Sequence, residues 1–328
     1  MAANPKSLPG TGLGMERYHE YHAEAHILSG HLEHPIEQPI EAFGRVVLEH
    51  TTNESLITKT VGPTNIEGLI SFEAGHTRVV GTQVKQKTDI FGNDHAGWVT
   101  LSTATLEGYN VVDTVTADRV VAQVSTEHAM VKGHVPKVSF LGTRFENLQI
   151  GGYTVPVELD LNFCGDKPAG DRSYLEDSDF LNEVEGQYEG VLNTKGLPDS
   201  LKKKYKAEIL GIDDLRKRAK GRAKGSQNGY PKLQCSLVKK IGEIPIAGVK
   251  TFGNLIFIPN FGTVALARVE VGVRPNHSEF AQAAGSSSPQ PPSYSNYFTL
   301  NMFEMHLGCP VAGMTKGPGS SCNGGTKP

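Results

Sequence analysis

Tyr153-Thr-Val-Pro-Val-Glu-Leu-Asp-Leu-Asn-Phe163 is the stretch on which the fold assignment turns. Tyr153, Val155, Val157, Leu159, Leu161 and Phe163 fall on one parity, and Thr154, Pro156, Glu158, Asp160 and Asn162 on the other. Side chains alternate faces along a strand, so the pattern predicts one apolar and one wetted face over all of 153–163. A helix would scatter the same residues around its circumference. Pro156 lies on the polar parity and has no N–H to give to a ladder, which points to a sheet edge or a bulge. Upstream, Gly151 and Gly152 link this run to 145–150 as a two-residue hairpin turn.

Working outward, the rest of the chain repeats the theme. Short β-type runs are expected at 45–48, 56–61, 68–73, 77–84, 98–106 and 138–140, then at 233–238, 254–258 and 263–272. In 263–272 both parities are apolar (Val264 and Leu266 against Ala265, Ala267, Val269 and Val271), which predicts a strand covered on both sides. In 297–307 the apolar parity slips near Met302 and Phe303, which predicts a bulge. An internal echo links Glu67-Gly-Leu and Arg78-Val-Val to Glu107-Gly-Tyr and Arg119-Val-Val about forty residues on. Two such copies fit a meander or sandwich of similar hairpins, not a solenoid, which needs three or more stacked units.

One segment departs from this pattern. Residues 166–189 hold eight carboxylates against Lys167 and Arg172, and 195–224 hold eleven Lys and Arg against four acids. Phe180, Leu181, Val184, Tyr188 and Val191 form a helical stripe, as do Leu201, Tyr205, Ile209 and Ile212. Gly196-Leu-Pro198 separates them, with Asp199 or Ser200 placed to cap the second helix. The prediction is a helical hairpin whose acidic and basic arms neutralise each other. A phosphate-binding role for Lys202–Lys206 and 216–224 is the sharper reading, but the acidic partner and the lack of interleaved aromatics favour a solvated, salt-bridged face.

The fold class expected is therefore mainly β, an antiparallel sandwich or barrel with an inserted α-helical hairpin. The expected organisation is an extended His/Pro-rich arm at 1–42, a first β part at 43–165, the hairpin insertion at 166–232, a second β part at 233–310 and a flexible Gly/Ser-rich tail at 311–328. Residues 31–41 are broken by His34-Pro35 and Gln38-Pro39 and are read as irregular, and 275–296 as a flexible loop.

Length and composition limit the function classes. A chain of 328 residues, 38% hydrophobic and 20% charged, can bury a substantial core, and its 37 Gly and 19 Pro imply many turns. A formal charge of −3 calls for neither nucleic acid nor membrane. Residues 1–14 contain no apolar h-region and no run of 18 apolar residues occurs, so the expected location is the cytoplasm, with an extracellular or surface site as the alternative. The cysteines, Cys164, Cys235, Cys309 and Cys322, form no C-x-x-C pair. A Cys164–Cys235 bridge would close the helical insertion, but a reducing compartment favours free buried thiols.

Candidate chemistry is sparse. Six of the twelve histidines are His19, His22, His26, His31, His34 and His50. As a strand, 21–27 puts Tyr21, Ala23, Ala25 and Ile27 on the core face and His22, Glu24 and His26 on the other. As a helix, His22 and His26 again share a face. His19, His22, Glu24 and His26 are thus the candidate ligands for a transition metal such as zinc, although H-x-E-x-H is not the H-E-x-x-H of metalloproteases. The alternative is a solvated face or one that meets another subunit. Glu158 and Asp160 share the polar face of the 153–163 run, as a hydrolase pair would, and as any wetted strand face does. There is no G-x-S-x-G elbow, Walker loop or G-x-G-x-x-G ahead of a helix.

The block His134-Val-Pro-Lys-Val-Ser-Phe-Leu-Gly-Thr-Arg-Phe-Glu-Asn-Leu-Gln-Ile-Gly-Gly-Tyr153, continued by Cys164-Gly-Asp-Lys-Pro-Ala-Gly-Asp171, resembles a group of uncharacterised bacterial proteins. Across about half the chain, the Val/Thr-rich strands are similar to the choice-of-anchor P domains of bacterial surface proteins. That resemblance implies a β domain outside the cell, and neither likeness brings an activity. The function expected is a non-enzymatic structural or interaction protein, a homo-oligomer that self-associates through its extended termini. The alternatives are a metal-binding protein or metal-dependent enzyme using the N-terminal histidines, and a small-molecule-binding β-barrel enzyme. No resident cofactor is predicted, and nucleic acid is not an expected partner.

Overall fold

The computed structural model describes residues 18–34, 37–88, 94–129, 135–169, 172–219, 230–275, 294–308 and 312–327. Thirteen main strands carry the architecture: β1 (Tyr18–His26), β2 (Leu28–His34), β3 (Gln38–Phe43), β4 (Val46–Thr51), β5 (Ser55–Val61), β6 (Ala74–Thr88), β7 (Asp94–Val111), β8 (Val115–Ala129), β9 (Lys232–Ser236), β10 (Leu255–Ile258), β11 (Gly262–Pro275), β12 (Tyr294–Leu307) and β13 (Ala312–Lys327). Together with seven shorter strands they form two antiparallel ten-stranded sheets. The first runs β10-β11-β12-β13-β1-β4, with β9 also paired to β11, β2 to β13 and β3 to β2. The second runs β5-β6-β7-β8, and short strands at 137–139, 144–146 and 149–150 close the far side of β8. The meander expected from the echo is present, with β6, β7 and β8 paired in chain order.

The sheets face each other as a sandwich, not a closed barrel. β13 lies over β7 and β8, β1 over β6 and β7, and β12 over β8. Tyr109 and Phe303 stack across the interface at 5.3 Å, and Phe145 meets Phe303 at the same distance. Ser102 Oγ donates to the Glu24 carbonyl at 2.6 Å, and the Cys322 thiol to the Val124 carbonyl at 3.1 Å. This face-to-face packing gives one continuous core, the arrangement that satisfies two half-apolar sheets.

The helical hairpin is where the sequence placed it. α1 (Ser178–Leu192) is capped by the Asp177 carboxylate, which accepts from the Asp179 and Phe180 amides. α2 (Asp199–Ala219) follows, and Arg216 ties it back to α1 through Glu185 and Asn182, both at 2.6 Å. Gln187 exchanges hydrogen bonds with the Ser236 backbone, which seats the hairpin on the outer face of the first sheet. Val264, Ala265, Leu266 and Ala267 are consequently all buried, as the two-sided apolar pattern required. Met302 and Phe303 are both buried for the same reason; the β11–β12 pairing skips Ala267, whose φ is +44°, and Met302, but keeps the same offset from Leu266↔Phe303 to Arg268↔Asn301, so no inserted residue shifts the register.

Three further expectations are corrected. The 153–163 run is not one strand: Tyr153–Thr154 pairs with Gln149–Ile150, Val157–Leu159 pairs with Val238–Ile241, and 161–164 is turn. Pro156 divides it. The Val155 amide still follows the hairpin, donating to the Leu148 carbonyl at 2.7 Å, whereas the Pro156 carbonyl accepts from Gly242 on the new partner's side. Asp160 then folds its carboxylate onto the Asn162 amide at 3.0 Å, a local turn that ends the ladder.

The second correction concerns the termini. β1 is held between β13 and β4, and β13 between β12 and both β1 and β2. The tail is central because its glycines permit contact that a side chain would block. A Cβ on Gly313 would lie 2.4 Å from the His31 carbonyl oxygen, and one on Gly30 would lie 2.3 Å from that of Met314. Third, the described residues of 31–41 are regular, with β3 zipped to β2 and Pro39 tolerated on the outermost strand. The 276–293 part of the expected loop and residues 1–17 lie outside the described residues.

Candidate functional site

The histidine strand is the first place to look for chemistry, and the sheet divides its residues. Tyr21, Ala23, Ala25 and Ile27 are buried, as the alternation predicted. His19 shares their face: it is 1% exposed, stacked on Trp98 at 5.5 Å between centroids and 4.5 Å from the buried His128 ring. Burial pushes its imidazole down to about 3, so it is neutral near pH 7. His22, Glu24 and His26 point the other way. Arg45 holds Glu24 in a fork of 2.8 and 3.1 Å, and its hydrogen bond keeps that carboxyl below the usual range. His22 Nδ1 lies 3.9 Å from Glu49, and burial lowers the His26 imidazole. The four candidate ligands are thus split across the sheet, and among the described residues no three His, Cys, Asp or Glu are grouped to hold a metal ion.

The other chemical candidates are similarly engaged. Lys239 pairs with Glu158 at 2.8 Å, and Asp160 serves its own turn, so the two do not act on a shared atom. Cys164 and Cys235 are free buried thiols, both pushed up by burial. On α2, Lys202 pairs with Asp199 and Lys217 with Asp214, and Arg216 also meets Asp213, which is the salt-bridged face.

What the sequence did not mark is the open side of the second sheet. β5 pairs with β6 from Ser55↔Gly81 to Val61↔Gly75, and among the described residues no strand pairs with its other edge. It overhangs the sandwich, so residues 56–60 are exposed on both faces, and Leu56 and Ile57 are 60% and 37% exposed. A regular, aliphatic strand with a free row of N–H and C=O groups is a template for another strand. Only Lys59 guards it, without a proline or bulge. The run at 56–61 was visible as a strand, but which of its edges stays open depends on pairings that a sequence does not display.

No helix among the described residues is long and apolar enough to cross a membrane. No curated protein and no solved structure matches the chain. A family model does match, over residues 19–272, from the buried histidine of β1 to Gly272 near the end of β11. The chain belongs to the family described as Domain of unknown function (DUF8256).

Proposed function

We propose that the protein is a structural or interaction module that associates with copies of itself by pairing β5 edge to edge. The open β5 edge carries the reading. Self-association through the termini gives way to this route because β1 and β13 already have partners on both sides. Seven residues in regular extension suffice for a strand–strand contact, and the two exposed aliphatic side chains would lose solvent in it. A two-fold axis through Thr58 pairs Leu56 with Thr60 and Ile57 with Lys59, so each lysine lies opposite an aliphatic residue and the two lysines stay apart. The product is one sheet continuous across two chains.

Native mass spectrometry on the untreated protein and on Ile57→Lys tests this. The two-fold register sets the introduced ammonium directly opposite Lys59 of the second copy, a cross-strand pair of like charges. The expected outcome is a dimer or larger multiple for the native chain and a single-chain mass for the variant. A single-chain mass for the native protein, or an unchanged multiple in the variant, overturns the proposal.

A further inference from the structure

A cavity of about 530 Å³ lies between α2 and the outer face of the first sheet, within the range of about 300–1,000 Å³ typical of small-molecule sites. Its lining is divided by chemistry. Leu201 from α2 and Phe252, Leu255 and Phe257 from the sheet side supply apolar wall, and Phe257 is 41% exposed, a large aromatic surface in contact with water. Lys204, Arg268, Glu304 and His306 make the polar part.

The charges there do not cancel. Arg268 and Glu304 form an ion pair of 2.7 Å with side chains only 14% and 10% exposed, and His306 Nε2 lies 3.4 Å from the same carboxylate oxygen. Arg268 is therefore committed to Glu304, and Lys316 on the neighbouring strand adds to the positive field on that carboxylate. Lys204 makes no ion pair or hydrogen bond among the described residues. Its one-turn neighbour Glu208 stands in the smaller adjoining cavity of about 230 Å³, which Lys204 and Arg268 also line, so Lys204, Arg268 and Lys316 face two carboxylates, Glu208 and Glu304. One positive charge is thus in excess at the junction of a largely buried ion pair and an apolar wall. Desolvation strengthens an ionic hydrogen bond made at such a place, and a ligand bearing a single anionic head and an apolar body complements both halves.

We propose that this cavity binds an apolar molecule carrying one carboxylate, the head group on Lys204 with the free side of Arg268 behind it, and the body against Leu201, Phe252, Leu255 and Phe257. The site is remote in the fold from β5 and does not depend on self-association.

Decanoate and its neutral counterpart decanol serve as probes in calorimetric titrations against the full-length protein at pH 7.5. Decanoate is expected to bind one per chain and about tenfold more tightly than decanol, the scale of one charge-assisted hydrogen bond. Lys204→Met is expected to remove that preference, so that decanoate binds the variant no more tightly than decanol does. Phe257→Ser is expected to weaken both probes together. Equal affinity for the two probes, decanoate binding indifferent to Lys204→Met, or binding of either probe that survives Phe257→Ser unchanged would each overturn the assignment.

Discussion

β13 and β5 invert what their sequences promise. Residues 312–327 are rich in glycine and serine and have little to bury, yet β13 is paired along both edges in the middle of the first sheet. Residues 55–61, Ser-Leu-Ile-Thr-Lys-Thr-Val, have strong strand propensity, yet β5 is paired along one edge and exposed on both faces. Pairing belongs to the backbone and burial to the side chains, and here the two have been assigned separately. A strand crossed closely by neighbouring main chains is better served by residues without bulk. Propensity alone therefore ranks these strands in the wrong order for position in the sheet.

The sharpest way to break the comparison is to give β13 a side chain. Gly313 pairs with Leu32 on one side and Leu307 on the other, and a Cβ there would meet the His31 carbonyl oxygen at 2.4 Å and the Leu32 Cα at 2.9 Å. Main chain cannot retreat as a flexible side chain can. Gly313→Ala is expected to destabilise the fold by about 3 kcal/mol, the upper end for an overpacked site, in urea unfolding. A loss under about 0.5 kcal/mol would mean that the tail is not held in the centre of the sheet.

A smaller effect comes from β1, the strand beside β13. His19 titrates near 6.5 in the unfolded chain and at about 3 in the folded one. Between those values the unfolded state binds more protons, so stability falls as the pH is lowered, by up to about 1.4 kcal/mol per unit from this group. Burial lowers His26 as well, in the same direction. Replacing the ring by His19→Phe, which keeps the stack on Trp98, is expected to flatten the slope between pH 6.5 and 4.5. An unchanged slope would move the proton uptake elsewhere.

What the sequence disclosed follows the same division. The mainly β antiparallel fold, the helical hairpin, the two-sided burial of β11 and the inward face of β1 were all legible, because each is a periodicity of side chains along one segment. The division of 153–163 was not, since an unbroken parity hides the fact that Pro156 sends the ladder to two different partners. The central place of the tail and the open edge of β5 were not legible either. Both are properties of which strand meets which, and the glycines that permit β13 to sit where it does look locally like a linker. The candidate metal ligands are divided for a related reason: His19 lies an odd number of residues from His22 and His26, which on a strand puts it on the opposite face.

The least perturbing change sharpens the other half of the comparison. Leu56 is 60% exposed, so Leu56→Thr removes aliphatic surface from the open edge and retains a residue that favours strands. In dilute solution its effect on folding should stay within about 0.5 kcal/mol, as for most surface substitutions. Association has a separate signature, because anything that binds the folded chain raises its unfolding midpoint with concentration. The native protein is expected to show a midpoint that climbs across a hundredfold concentration series, and Leu56→Thr a shallower climb from the same dilute value. If both midpoints are flat, β5 is an exposed edge and nothing more. A fall at every concentration would instead mean that Leu56 supports the fold of its own chain, and β5 and β13 would then be closer in kind than their pairing suggests.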